Sequence, residues 1–598
     1  MKLLFLPIIP TTIVADLYFN HPAGSNNRLN EDQRAVRNDN RLFDSQNNNR
    51  HGYNVQGMSW YEKTEIDLQW TVQHGCGPNS NVDCEIILQY SCEDQIRNGE
   101  TTDTIPEEQD ECQNDDCNTD PRFGMHESFQ EWQHCALRSR NKRLFPADRN
   151  LRNRHSARHT RQEEAGARYG YECNEERDYY PYWHPTIWKD IVIMTDHSNR
   201  CDYYKKESQN VKDKAYCHVD DEILNYFFNK ERAQEDAFIP IYADECNEWA
   251  QSVQQELTDN NISGSIEWKN HTSWGIAPPE CIENVEHRDN HHGNVNGPYL
   301  NSYKWTVPSD IVANGNLNSC VFRVRYNMSS IDYEGWTTNS DHKIRDDEGC
   351  MCRNNYGVDL WTKYGMSGAD AKRRGFRHLN DPLLRYYPMA DMKEKTRLRN
   401  PYNTNQLGRV FEDRTHVIGF RQLPADIAQD LQNNPTKKIH NLNIIGRLGN
   451  YNEVFPNFPY MFLPQYTSAK LGDYLHIQWT GANNQNTGND HSQVDYRLHR
   501  EQEIEGKDRH NLIQIDSMGD MTPNVNNFDN IFGFGSDDAQ SLAFSGIYGG
   551  ENFVLQSAGS HFDLGLRKLE TEGSWNFVNS QNNRFGVLAM KGRVDVRV

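Results

Sequence analysis

The sequence predicts a mainly-β, multi-domain chain of β-sandwiches, the first Ig-like and interrupted by long disulfide-rich insertions. Three observations predict it. The 598 residues are too many for one hydrophobic core, because cores stop growing near roughly 250–300 residues. Short runs alternate apolar with polar residues between Asn-, Asp-, Gly- and Pro-rich turns, the period of half-buried strands. Helical periodicity is modest, and is clearest from Asp221 to Gln234.

Residues 1–15 read as a signal peptide: Lys2, a short apolar run, then small residues, with cleavage after Ala15. Residues 16–352 read as the Cys-rich sandwich. Its strands are Glu65–Val72, Glu85–Tyr90, Ser302–Val307 and Cys320–Tyr326. Residues 353–435 read as a β-rich connecting module with a strand near Thr415–Arg421. Residues 436–598 read as a last all-β sandwich, with strands at His440–Ile445, Asp473–Thr480, Asn511–Ile515 and Ser574–Val578. No stretch is long and apolar enough to span a membrane, and the C-terminus lacks the hydrophobic tail of a lipid-anchor signal.

Hydrophobic residues make up 36% and mean hydropathy is −0.92, but 13 Trp and 29 Tyr mark a folded chain rather than a disordered one. Lys plus Arg number 63 against 85 Asp plus Glu, a net charge of −22, which argues against nucleic-acid binding. An acidic stretch, Glu93–Asp120, precedes a basic one, Arg138–Arg161. Both read as solvated loops, with a binding patch or a processing site as the sharper alternative, and Arg140-Asn-Lys-Arg143 has the form of a secretory processing site.

Fourteen cysteines, Cys76, Cys84, Cys92, Cys112, Cys117, Cys135, Cys173, Cys201, Cys217, Cys246, Cys281, Cys320, Cys350 and Cys352, are confined to the first domain. Their even number and clustering predict disulfides in an oxidising compartment, and their spacings do not make zinc knuckles. Asn261-Ile-Ser, Asn270-His-Thr and Asn327-Met-Ser are N-glycosylation sequons. Together with the leader they predict a secreted, extracellular glycoprotein.

Several long strings resemble one family. They are Asn20-His-Pro-Ala-Gly-Ser-Asn-Asn-Arg-Leu29, Arg41-Leu-Phe-Asp-Ser-Gln-Asn-Asn-Asn-Arg50, Glu176-Arg-Asp-Tyr-Tyr-Pro-Tyr-Trp-His-Pro185, Arg288-Asp-Asn-His-His-Gly-Asn294 and Asp473-Tyr-Leu-His-Ile-Gln-Trp-Thr-Gly481. They resemble the secreted DD-three-three glycoproteins of slime moulds, other protists and some invertebrates. The resemblance implies secretion and no particular chemistry. Two remoter likenesses bear on chemistry. Tyr303-Lys-Trp-Thr-Val-Pro308 and Cys320-Val-Phe-Arg-Val-Arg-Tyr-Asn327 look like closing strands of copper-dependent polysaccharide monooxygenases and chitin-binding domains. The last domain looks like a cupredoxin.

The residues argue against copper in either place. A histidine brace needs His as the mature first residue. Here that residue is Asp16 and the nearest His is His21, whatever second ligand His126, His184, His291 or His292 supplies. A blue-copper site needs a thiolate, and no Cys follows Cys352. His440 and His476 read instead as packed strand residues. Hydrolase signatures such as G-x-S-x-G and H-E-x-x-H are absent from the sequence. The acidic loop Glu107–Asp120 is a candidate Ca²⁺ site in a reading otherwise without cofactors. The aromatic run Tyr179-Tyr-Pro-Tyr-Trp183 is a candidate sugar-stacking surface.

The resulting expectation is a non-enzymatic structural or interaction component of a cell surface, matrix or extracellular filament. Its partners are itself or other extracellular proteins. The alternative is a polysaccharide-binding or polysaccharide-oxidising protein.

Overall fold

The computed structural model describes residues 17–22, 24, 58–72, 82–96, 126–138, 180–231, 238–284, 301–330, 383–384, 396–397, 408–445, 461–480, 510–520, 530–546, 561–580 and 590–598. The expected signal peptide, the candidate Ca²⁺ loop, Arg143, His291, His292, Cys76, Cys112, Cys117, Cys173, Cys350 and Cys352 lie outside the described residues.

The first domain is a sandwich of two sheets. The smaller has the order β1-β3-β9, from β1 (Leu17–His21), β3 (Glu65–Val72) and β9 (Asn301–Thr306). The larger has the order β2-β14-β10-β4-β5-β8. Its strands are β2 (Ser59–Tyr61), β4 (Val82–Ser91), β5 (Lys189–Thr195), β8 (Glu280–Glu283), β10 (Leu317–Ser330) and β14 (Ile418–Arg421), with β13 (Gly408–Arg414) also paired to β10. Alternation in sequence builds the core between them. Ile66, Leu68 and Trp70 of β3 meet Ile86 and Leu88 of β4 and Phe322, Val324 and Tyr326 of β10. β13 and β14 come from the stretch expected to be a separate connecting module. The structure places both in the first sandwich, because the 14-residue β10 is long enough to pair with β14 near its start and with β13 further on. A two-stranded ladder joins β11 (Leu383–Leu384) to β12 (Thr396–Arg397).

The opposite face of β4 and β10 is also covered, and beside the apolar Ile87 and Val321 it carries buried charges. Arg323, Arg325 and Arg414 are all at most 2% exposed there. Arg414 Nε donates to Glu412 at 2.6 Å, and Arg414 also pairs with Glu127 and Arg325 with Glu412. Such charges persist in a dry site only because each has a partner. The cover includes Glu127, just before helix α1 (Phe129–Ala136), whose N-cap Ser128 accepts from Glu131 N at 3.2 Å. It also includes Trp188, whose ring lies 4.1 Å from the Arg323 guanidinium.

Between β5 and β8 the chain leaves the sheet and builds a small core of its own. Helices α2 (Cys201–Glu207), α3 (Asp221–Glu231) and α4 (Ala243–Asp259) accompany the hairpin of β6 (Lys214–Val219) and β7 (Ile266–His271). Ile223, Leu224, Phe227, Val253 and Leu257 fill it. The helix expected at Asp221–Gln234 is α3. The 17-residue α4 was hidden by its polar composition, since only Cys246, Val253 and Leu257 are buried on it. Disulfide Cys217–Cys246 staples this unit, Cys201–Cys281 ties its root to β8, and Cys92–Cys320 joins the ends of β4 and β10. Cys84 and Cys135 are also disulfide-bonded.

The last domain is a second sandwich. One sheet runs β16-β15-β18-β20, the other β17-β22-β21-β19. The strands are β15 (Ile439–Ile445), β16 (Met461–Leu463), β17 (Tyr466–Lys470), β18 (Tyr474–Trp479), β19 (Ile513–Ile515), β20 (Phe562–Lys568), β21 (Gly573–Val578) and β22 (Lys591–Arg597). β15–β18 and β17–β22 are parallel pairs. Helix α5 (Ala425–Asn433) precedes the sandwich, and α6 (Ser536–Phe544) packs into it through Ala539 and Leu542.

β18 is buried along its whole length. Leu475, Ile477 and Trp479 face their own core, and the other three side chains are polar or aromatic. Of these, His476 packs edge-on to Tyr61 of the first sandwich with ring centroids 5.1 Å apart, and Gln478 bonds the main chain of Ser59. Arg421 reaches across the same joint to Asp563 at 2.9 Å.

Candidate functional site

The site begins with the loop 180–188, which carries the aromatic run singled out in the sequence. Tyr180 and Tyr182 are anchored to the polar face of the large sheet. Tyr180 donates to Asp190 at 2.8 Å, Tyr182 to Gln89 at 3.3 Å, and Arg323 to Gln89 at 2.6 and 2.9 Å. Gln89 in turn donates to Asp190 at 2.7 Å. Burial raises the Asp190 carboxyl above its ordinary range, against the pull of Ser208, Gln89 and Tyr180 hydrogen bonds. The described aromatic residues of the run divide between core and rim. Tyr180 and Tyr182 are buried, and Trp183 stands 36% exposed.

A pocket of about 280 Å³ opens between this loop and the insertion. Tyr182, Trp183 and His184 form one wall, Tyr203 and Glu207 of α2 another, and Lys212–Cys217 the third, with Arg138 and Trp268 also lining it. Tyr203 is 48% exposed, so two partly exposed aromatic side chains border the pocket. The Arg138 guanidinium lies 5.5 Å from the centre of the Tyr216 ring. His184 Nδ1 lies 2.8 Å from Arg138 Nη1 and 2.7 Å from the Pro185 carbonyl oxygen, so it sits between a donor and an acceptor. Lys214 is buried and donates to the Glu207 carbonyl at 2.5 Å, and burial pushes its ammonium down to about 8. Open aromatic faces beside fixed polar groups are the chemistry of a small polar-ligand site.

Sequence reasoning found Tyr182 and Trp183 and missed Arg138, Tyr203 and Lys214. One signal was available for α2: Tyr203 and Glu207 are four apart and share a helix face. Arg138 opens the basic stretch Arg138–Arg161 that the sequence marks, whereas Lys214 arrives from a stretch with no local mark of a site.

Among the described residues, the histidines considered for copper are not brought together. His21 is 1% exposed in β1, Nδ1 donates to the Asp67 carbonyl at 2.7 Å, and burial lowers its pKa to about 4. It follows core residues Leu17 and Phe19 in the strand. His126 and His184 are buried elsewhere. His440 bonds Asp473 at 2.9 Å, and His476 bonds Asp563 at 2.9 Å and Asn441 at 3.2 Å. Among the described residues no three His, Cys, Asp or Glu side chains gather as a metal site.

Of the sequons, Asn261 and Asn270 are exposed in the insertion, whereas Asn327 is half-buried in β10 between β4 and β13. Asn261 has φ +55° and closes α4, with Asn261 N–H bonding the Thr258 carbonyl and Ile262 N–H the Leu257 carbonyl.

Fold and site define a multi-sandwich protein with an aromatic pocket on the first domain. The chain belongs to the DD3-3 family: the DD3-3 N-terminal domain matches residues 15–420 and the DD3-3 cupredoxin-like domain residues 437–549. Among solved structures, the oxidised plastocyanin of Dryopteris crassirhizoma and a mutant fern plastocyanin are similar in part. Each is 13% identical, aligned over 26% of this chain and 99% of its own, with a TM-score of 0.12. No curated protein matches.

Proposed function

We propose that this protein is a secreted extracellular glycoprotein that acts as a structural or interaction component of a cell surface, matrix or filament. The observation that carries this reading is the joint between the sandwiches. Gln478 pairs with the Ser59 main chain at 2.6 and 2.9 Å and Arg421 with Asp563, an arrangement suited to a stiff building block. The sequons Asn261 and Asn270 are exposed on the insertion, where they are accessible to glycosylation. Electron microscopy of the native secreted protein, with intact mass and N-terminal sequence from the same sample, tests this. Ordered filaments or lattices support a structural subunit, and monodisperse single particles remove the assembly idea.

The pocket favours a second reading, carbohydrate binding without oxidation. Trp183 and Tyr203 offer the open rings that sugar stacking uses. The oxidative version is disfavoured by His21, whose Nδ1 hydrogen is already given to Asp67. Glycan-array binding that disappears in Trp183→Ala and Tyr203→Ala supports this reading.

A further inference from the structure

Building on the carbohydrate reading of the pocket, we propose that its ligand is an acidic saccharide, a sugar chain bearing a carboxylate or sulfate that pairs with Lys214. The Lys214 side chain is almost wholly enclosed, at 4% exposure, yet the hydrogen bond it makes is to a neutral main-chain carbonyl, that of Glu207, at 2.5 Å. An ammonium has three donors, and leaving a buried charge without an anion is costly.

Among the described residues, Glu207 and Asp190 act on this ammonium by charge, but the carboxylates near it accept their hydrogen bonds from other groups. Glu207 is held by Lys212 at 2.5 and 2.6 Å. Asp213 accepts from Ser273 N at 2.8 Å and Asn270 at 3.2 Å. Asp190 accepts from Gln89, Tyr180 and Ser208. A second buried cation, Arg138, lines the same pocket at 6% exposure. Among the described lining residues, Arg138, Lys212 and Lys214 outnumber the carboxylates Glu207 and Asp213, so in a chain of net charge −22 this wall favours an anion. A lysine presents a compact charge without the planar fork of arginine, and so accepts carboxylate and sulfate alike. The rings of Trp183 and Tyr203 hold the sugar, and Lys214 chooses its charge.

The test is titration calorimetry on the full-length secreted glycoprotein. The probes are an oligogalacturonide, a sulfated galactan oligosaccharide and a neutral gluco-oligosaccharide of equal length. Both acidic chains are expected to bind about tenfold more tightly than the neutral one, the scale of one charge-assisted contact. Lys214→Gln should abolish that preference and Lys214→Arg should retain most of it. Raising the pH from about 7 to about 9 should also shrink it, since the bound ammonium must stay protonated. Equal affinity for acidic and neutral chains, or a preference that survives in folded Lys214→Gln protein, overturns the proposal and leaves carbohydrate binding standing. No binding of any of the three by the unmutated protein overturns both.

Discussion

The side-chain amide of Gln478 pairs with the main chain of Ser59 in both directions. Ser59 N–H donates to Oε1 at 2.9 Å, and Nε2 donates to the Ser59 carbonyl at 2.6 Å. β2 is an edge strand, bonded to β14 on one side. On its other side a glutamine from the second sandwich takes the place of a neighbouring strand. Asn210 does the same for Asp190, accepting from its N–H at 3.0 Å and donating to its carbonyl at 2.9 Å. Buried main-chain groups must be paired, and an amide side chain offers a donor and an acceptor side by side.

Gln478→Ala strands both Ser59 groups in a buried joint. The expected loss is about 2 kcal/mol or more, because each unsatisfied buried group costs about 1–3 kcal/mol. Gln478→Glu is expected to be worse at neutral pH, since it sets a carboxylate oxygen against the Ser59 carbonyl. Denaturant unfolding followed by tryptophan fluorescence measures both. A loss below about 0.5 kcal/mol for the alanine variant would show that the joint is held by other contacts.

Acid should destabilise the fold well above the carboxylate range. Burial is the largest cause holding His21 and His134 down to about 4 and His510 to about 3. In the unfolded chain each titrates near about 6.5. The unfolded state therefore takes up protons first as pH falls. The stability from these neutral histidines is complete above about pH 6.5 and is lost toward pH 4. Near pH 5 the three together predict a slope of about 4 kcal/mol per pH unit. The thermal midpoint measured from pH 7 down to pH 5 reads this directly, and a flat profile contradicts it.

Asn261 serves two ends that can be separated. Asn261→Gln and Asn261→Gly both remove the sequon, and each should lower the mass of the secreted protein by one N-glycan. Only the glutamine variant strains the left-handed residue, φ +55°, that closes α4. It should cost about 1 kcal/mol more than the glycine variant. An unchanged glycan mass in both variants would show that Asn261 is not modified.

Cys217 and Cys246 close a span of 29 residues around the insertion core. Replacing both with Ala should destabilise that unit by about 3–4 kcal/mol, by the entropy returned to the unfolded chain. Hydrogen exchange should quicken in β6, β7 and α4 and stay unchanged in β20–β22. Uniform quickening across both sandwiches would mean that the chain unfolds as one cooperative unit.

Strand positions were legible because period-two alternation is a local property. Leu475, Ile477 and Trp479 declare their core-facing side in the sequence alone, as do Phe322, Val324 and Tyr326. The length of α4 was not legible, because a helix that buries three residues leaves a weak apolar stripe. The aromatic wall of the pocket was visible as a run at 179–183. Its charged wall was not, since Arg138 and Lys214 meet only after the insertion folds back beside loop 180–188.

By itself the sequence determined the mainly-β class, which face of each strand is apolar, the cysteine-rich first half and the family. It did not determine what covers the other face. Arg323, Arg325 and Gln478 read as solvent-facing residues of half-buried strands, and all three are buried. Alternation reports which side chains avoid water. Whether a polar side chain reaches water depends on partners far along the chain, Gln89 for Arg323, Glu412 for Arg325 and Ser59 for Gln478. Tertiary structure decides this, because burying a polar group is tolerable only where a distant partner arrives to satisfy it.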